Sequence, residues 1–220
     1  MSSELDLPIA DPHEQRVPCV LLLDVSGSMN GEPIKQLNDA LNTFKRDLAS
    51  DALASKRAEV SIITFSDAPT MAHDFARVDS LTLPVLTAGG QTAMGHALQM
   101  ALDEIEIRKE LYRSQGVQYT RPWLFLLTDG APTDGPAFEA AAQRAVDAVR
   151  GNKALIFCIG VGGASVDNLK KVSRDLTFQL NPDLTFAEFF RFVSASLRTA
   201  SSSKPGDQIS LDPGKILIKM

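Results

Sequence analysis

The stretch Val17-Pro18-Cys19-Val20-Leu21-Leu22-Leu23-Asp24, running into Val25-Ser26-Gly27-Ser28-Met29, decides the fold. An unbroken apolar run that stops at an aspartate and a polar loop reads as a strand buried on both faces, the kind found in parallel sheets. Downstream, Pro33 suits a first helical position. Ile34, Leu37, Leu41, Phe44 and Leu48 then recur at intervals of three and four, which predicts a helix of about five turns with one apolar stripe.

The alternation continues outward from that pair. Glu59–Phe65, Trp123–Thr128, Ala154–Gly160 and Leu176–Leu180 read as further strands, and Thr70–Val78, which carries His73 and Asp74, as an edge strand. A second long helix is predicted along Met94, Ala97, Leu98, Ala101, Leu102 and Ile105, broken by Gly116–Arg121. A third starts near Pro136 and follows Phe138, Ala142, Ala145, Val146 and Val149. A short one holds Val166, Leu169 and Val172, and a last one, capped by Thr185, carries Phe186, Phe189, Phe190, Val193 and Leu197. The expected fold is α/β: a three-layer α/β/α, Rossmann-like arrangement around a central, mostly parallel sheet of about six strands with an antiparallel edge strand.

Residues 1–15 read as a flexible lead-in, 16–200 as one domain, and 201–220 as a linker and tail. Ser201 to Gly206 is the linker by composition. Ile209–Met220, apolar around Leu211 and at Ile216–Ile218, reads as a docked tail, with a partner-binding strand as the other reading.

With 220 residues, 44% hydrophobic and 22% charged, the chain has enough apolar material for a core without disulfide or metal staples. Its net charge of −5 lacks the basic excess of a dedicated nucleic-acid binder. The longest apolar runs are far short of the roughly 20 residues of a membrane span. Met1–Arg16 has no secretory pattern, so cytoplasmic residence is expected. Cys19 and Cys158 lie in apolar runs and read as free, buried thiols. His13, His73 and His96 have no zinc-type spacing.

Open parallel sheets bind ligands beyond the carboxyl ends of their strands, where connections diverge. The first strand ends in Asp24, with Ser26 and Ser28 following as Asp-x-Ser-x-Ser. Trp123–Thr128 ends in Thr128-Asp129-Gly130, and Gly89-Gly90-Gln91-Thr92 precedes the second long helix. If those two strands are neighbours, two carboxylates and three hydroxyls converge. Such hard oxygen donors suit Mg²⁺, Mn²⁺ or Ca²⁺ and suit zinc and copper poorly. With two anions against a double charge, positions remain for water or for an anionic oxygen from outside.

The run Leu22-Leu23-Asp24-Val25-Ser26-Gly27-Ser28-Met29 resembles the signature of von Willebrand factor A (VWA) domains, across roughly residues 17–198. The resemblance implies a metal-ion-dependent adhesion site (MIDAS) formed by Asp24, Ser26 and Ser28, then Thr92 in Gly-Gly-Gln-Thr-Ala, then Asp129 in Leu-Thr-Asp-Gly. It implies Mg²⁺ as the usual cation and an acidic residue of a partner protein completing its coordination. Val193-Ser194-Ala195-Ser196 and the serines beyond it are similar to a bacterial TerY-like subgroup of tellurite-resistance and stress-response proteins. That implies a signalling complex with kinase-like or phosphatase-like partners.

The expected function is therefore metal-dependent protein–protein interaction, not catalysis. A metal-dependent hydrolase or phosphatase is the main alternative. A phosphoaspartyl enzyme would need a second aspartate where Ser26 stands, and no base is placed by sequence to activate Ser26 or Ser28. A scaffold acting through its tail is a third reading. Asp67 and Asp134 read as solvated loop aspartates, His96 as structural, the phenylalanine stripe at 186–190 as core, and Gly160-Val161-Gly162-Gly163 as a turn rather than a dinucleotide loop.

Overall fold

A computed structural model describes residues 9, 11–181, 185–203 and 217–219. The expectations for 1–8, 10 and 204–216, including the core of the linker and Leu211, lie outside the described residues. Strands β1 (Val17–Asp24), β2 (Ala58–Phe65), β3 (Pro69–Arg77), β4 (Trp123–Thr128), β5 (Leu155–Gly160), β6 (Thr177–Leu180) and β7 (Leu217–Lys219) form one sheet. The helices are α1 (Glu32–Ala49), α2 (Ala54–Arg57), α3 (Met94–Ser114), α4 (Gly135–Arg150), α5 (Val166–Val172) and α6 (Phe186–Ser202).

The sheet order is β3-β2-β1-β4-β5-β6-β7. The five inner strands are parallel; β3 pairs with β2, and β7 with β6, antiparallel. The expected six strands are present, with β7 added at the far edge. The pairing of β2 with β3 slips twice, between Val60 and Ile62 and between Ile62 and Ile63. Three residues of the tail thus join the sheet, and α6 runs through the first two serines of the expected linker. The lead-in is tied down where it is described: Ile9 packs with Leu111, Tyr112 and Val117, and Asp11 and Glu14 pair with Arg77 and Arg57.

Strand periodicity builds the three layers. Val17, Cys19, Leu21 and Leu23 face one core with α1 and α6, and Val20 and Leu22 face the other with α3, α4 and α5. In α1, Pro33 sits in the first turn and Ile34, Leu37, Leu41, Phe44 and Leu48 are buried, as the spacing predicts. On the α6 side the Phe125 and Phe157 rings stack at 4.7 Å, Phe189 meets Phe125 edge-on at 6.1 Å, and Phe190 meets Phe44 at 5.5 Å. The stripe at 186–190 is core. α6 starts with the expected cap: the Thr185 N–H donates to Glu188 Oε2 at 2.8 Å. Cys19 and Cys158 are buried and free, and burial pushes both thiols well above the ordinary range. No helix among the described residues is long and apolar enough to cross a membrane.

The sheet's other polar feature lies near the start of β1 and β2. Glu59, 2% exposed, accepts from Arg108 Nη2 at 2.5 Å and the Tyr112 hydroxyl at 2.5 Å and forms an ion pair with Arg16, whose Nε lies 3.0 Å away. Arg16 is wholly buried and also donates to the carbonyls of Lys56 and Asp11. One carboxylate thus anchors two guanidiniums inside the fold, and removing it leaves charge uncompensated. Glu59→Ala is expected to cost about 3–5 kcal/mol in equilibrium urea unfolding. A loss below about 1 kcal/mol would mean that water replaces the carboxylate at no penalty.

Candidate metal centre

β1 and β4 are neighbours, and their carboxyl ends bring Asp24 and Thr128 together. From β1 the chain leaves through α1, on one face of the sheet; from β4 it leaves through α4, on the other. The ends of these two strands therefore lie where the connections diverge, and a crevice forms there.

Asp24 is wholly buried. Its Oδ1 accepts the Ser26 N–H at 2.8 Å, and its Oδ2 accepts the Thr128 hydroxyl at 2.5 Å. The Thr128 hydroxyl in turn accepts the Gly130 N–H at 3.1 Å. Burial pushes the Asp24 carboxyl above the usual range; the bonds from Ser26 and Thr128 oppose this, and nearby Asp129 adds to it.

The hydroxyls of Ser26 and Ser28 lie 3.1 Å apart, and Ser28 donates to Asp129 Oδ1 at 2.6 Å. Thr92 approaches the group beside Gly130. A Cβ placed on Gly130 would lie 3.5 Å from Thr92 Oγ1 and 3.9 Å from Asp24 Oδ2. Asp24, Ser26, Ser28 and Asp129 are thus joined by hydrogen bonds, and Thr92 lies near the same glycine as Asp24 without a bond to the other four.

Several residues outside that expectation hold the cluster in shape. The loop bearing Thr92 is fastened by backbone bonds from Gly27 N–H to Gly90 O and from Gly89 N–H to Val25 O. Asn38 of α1 grips it further on, donating to Leu86 O and accepting from the Leu86 N–H. Asp67 is not merely solvated: it accepts the Gln91 N–H at 2.8 Å. Its carboxylate fills the space beside Gly90, whose φ of +81° and lack of room for a Cβ both require glycine.

Asp134 likewise departs from the solvated reading. It accepts the N–H groups of Gly95 and His96 and the His96 Nδ1–H, so it caps α3 from the loop after β4. Thr92 does not do that work; its own N–H goes to Thr133 Oγ1 at 3.2 Å. A Cβ on Gly95 would lie 2.2 Å from the Phe138 nitrogen, so α3 and α4 touch backbone to backbone here. The sequence signal for these supports was the placement of Asp67 and Asp134 after strand ends; their acceptor roles depend on loops far apart in the chain.

The donor set fits a hard divalent cation. With metal–oxygen bonds of 2.0–2.1 Å, neighbouring vertices of an octahedron lie about 2.8–3.0 Å apart. The Ser26–Ser28 separation is close to that. Among the described residues there is no group of three or more His, Cys, Asp or Glu that could hold a metal, so any cation here would rest on hydroxyls as much as on carboxylates.

A family model described as von Willebrand factor type A domain matches residues 19–191. Inter-alpha-trypsin inhibitor heavy chain H4 of Sus scrofa is 31% identical over 153 residues, covering 65% of this chain; the chain spans only 15% of that protein. Among solved structures, proximal thread matrix protein 1 from the mussel byssus, with a zinc-occupied MIDAS motif, aligns with a TM-score of 0.56 at 19% identity, over 88% of this chain and 47% of that one. The vWF domain of the type V pili tip protein Mfa5 from Porphyromonas gingivalis aligns with a TM-score of 0.65 at 12% identity, over 88% and 99%.

The raised Asp24 carboxyl makes a stability prediction. A folded-state value above the unfolded one stabilises the fold at low pH, and the contribution is lost as pH rises through the folded value. At neutral pH the carboxyl is therefore a burden on the metal-free fold. Asp24→Asn should match or exceed wild-type stability in EDTA at pH 7, and the advantage should shrink in acid. Urea titrations at both pH values read this; a variant less stable at pH 7 than at pH 4, relative to wild type, contradicts it.

Proposed function

The chain belongs to the von Willebrand factor type A domain family, and on that premise we propose that Asp24, Ser26, Ser28, Thr92 and Asp129 hold a divalent cation and present it to a carboxylate of a partner protein. Domains of this family are metal-dependent protein-interaction modules. Mg²⁺ is the cation proposed, through the hydroxyls of Ser26, Ser28 and Thr92, with Asp24 and Asp129 acting directly or through water. Bound there, the cation supplies a positive centre that attracts an incoming carboxylate.

The observation that supports the reading most is the convergence of three separated segments on one spot: Ser26 and Ser28 bonded to each other, Ser28 on Asp129, and Thr92 Oγ1 and Asp24 Oδ2 both beside Gly130. The chain's own residues do the orienting. Thr128 and the Ser26 backbone fix both oxygens of Asp24, and Asp129 aims the Ser28 hydroxyl.

Relatives in the family are mostly non-enzymatic interaction or adhesion domains, and the proposal assigns binding without turnover to this chain. The cluster consists of carboxylates and hydroxyls, and His96 has its Nδ1–H committed to Asp134. The narrower placement, a cytoplasmic bacterial TerY-like stress complex with a kinase-like or phosphatase-like partner, rests on the Val193–Ser196 run. There Val193, Ser194 and Ser196 are buried in α6, so they contribute packing rather than a recognition surface.

Calorimetry with MgCl₂, MnCl₂ and ZnCl₂ tests the cation directly, with zinc included because the byssal protein's MIDAS holds it. Wild type should bind one equivalent, and Asp129→Ala should not. At a hundredfold excess over Kd the bound cation should add about 2.7 kcal/mol. For a chain of this size that is a melting-temperature rise of about 5–10 °C. For the partner, affinity capture from native lysate should yield a protein that EDTA releases and Asp129→Ala fails to retain. Metal binding unaffected by Asp129→Ala, or a partner retained in EDTA, overturns the reading.

A further inference from the structure

At the opposite end of the sheet, below the starts of β4, β5 and β6, lies a pocket of about 710 Å³ between α4 and α5. Its volume is that of a small-molecule site. Four cations line it: Arg121 just before β4, Arg150 at the end of α4, Lys170 in the last turn of α5 and Arg174 beyond it. The single acidic residue among its walls is Asp175. This concentration of positive charge stands out in a chain of net charge −5.

Some of that charge has a local reason. Arg150 and Lys170 meet the carbonyl ends of their helices, and Arg121 donates through Nη2 to the carbonyls of Val149 and Ala154. None of the four, however, enters an ion pair among the described residues. Arg77 and Arg108 are pushed above the ordinary guanidinium value with carboxylate partners opposing their burial, whereas burial alone pushes Arg121 below it. A cation taken partly out of water without a counter-charge favours an anion beside it.

The floor is not ionic. Half-buried Val146, Val149, Leu155 and Leu176 line it, with the amides of Gln143 and Asn152 at the rim. Simple charge display at a helix end does not need a recess with an apolar base. We propose that this pocket binds an organic anion carrying phosphate, its phosphate on Arg121, Arg150, Lys170 and Arg174 and its organic part on the apolar floor. This site is separate from the oxygen cluster and does not depend on the metal reading.

ADP, inorganic phosphate and adenosine are suitable probes, titrated calorimetrically into the full chain. EDTA and the Asp24→Asn background keep phosphate–metal contacts at the oxygen cluster out of the signal. ADP should bind saturably, at least tenfold tighter than inorganic phosphate, with no binding of adenosine. The exposed pair Lys170→Glu and Arg174→Glu should weaken ADP at least tenfold while leaving the far-ultraviolet spectrum and the Mg²⁺ titration of the otherwise wild-type chain unchanged. Absence of saturable ADP binding, binding that the charge reversals leave intact, or phosphate binding as tightly as ADP would each overturn the assignment.

Discussion

Asp24 ends a strand that is closed to water on both faces, and without a cation its carboxylate takes its partners from within the protein. Ser26 supplies a backbone N–H and Thr128 a hydroxyl, one to each oxygen. That demand dictates much else. β4 must lie beside β1 for Thr128 to reach it, and the loop after β1 must turn at once for the Ser26 N–H to point back. The turn then delivers Ser28 to Asp129, one residue past the strand that holds Thr128. A buried charge of this kind is costly unless its lone pairs are served, and the apolar packing that sets β1 beside β4 also supplies those partners.

The fold was legible where burial imposes a period. Val17–Leu23, Trp123–Thr128 and the α1 and α6 stripes declare themselves because side chains on both faces of a strand, or on one face of a helix, must be apolar. The candidate cluster was legible because four of its residues lie at or just past the ends of β1 and β4 and the run Leu22–Met29 resembles a known signature. The seventh strand was legible only as an apolar patch in a tail read as docked; its pairing with the free edge of β6 has no period in three residues to announce it. Nor were the roles of Asp67 and Asp134. Each serves N–H groups more than twenty residues away in sequence, and a loop aspartate has the same local appearance whether it meets water or a helix terminus. Glu59 stood inside an apolar strand with nothing nearby in sequence to announce Arg16, Arg108 and Tyr112.

The two ends of the sheet carry different kinds of polar chemistry. Around Glu59 one buried carboxylate is shared by two guanidiniums and a phenol, held by long side chains from Arg16, just before β1, and from α3. Around Asp24 the groups are short, oxygen-only and arranged by backbone turns, with Ser28 and Asp129 reaching the surface. Long, matched cations and anions lock elements together. Short oxygens already tied to one another and to the backbone have less freedom left to lose on binding.

The sheet closes with two strands that run counter to the rest. β3 carries two slips in register against β2, and β7 offers three residues. An outer strand with interrupted or very short main-chain display is a poor template for a neighbouring molecule to extend. Among the described residues, then, both outer strands run antiparallel to the five inner ones, and slips of the kind β3 makes bend and twist a strand away from the flat geometry that a further strand would extend.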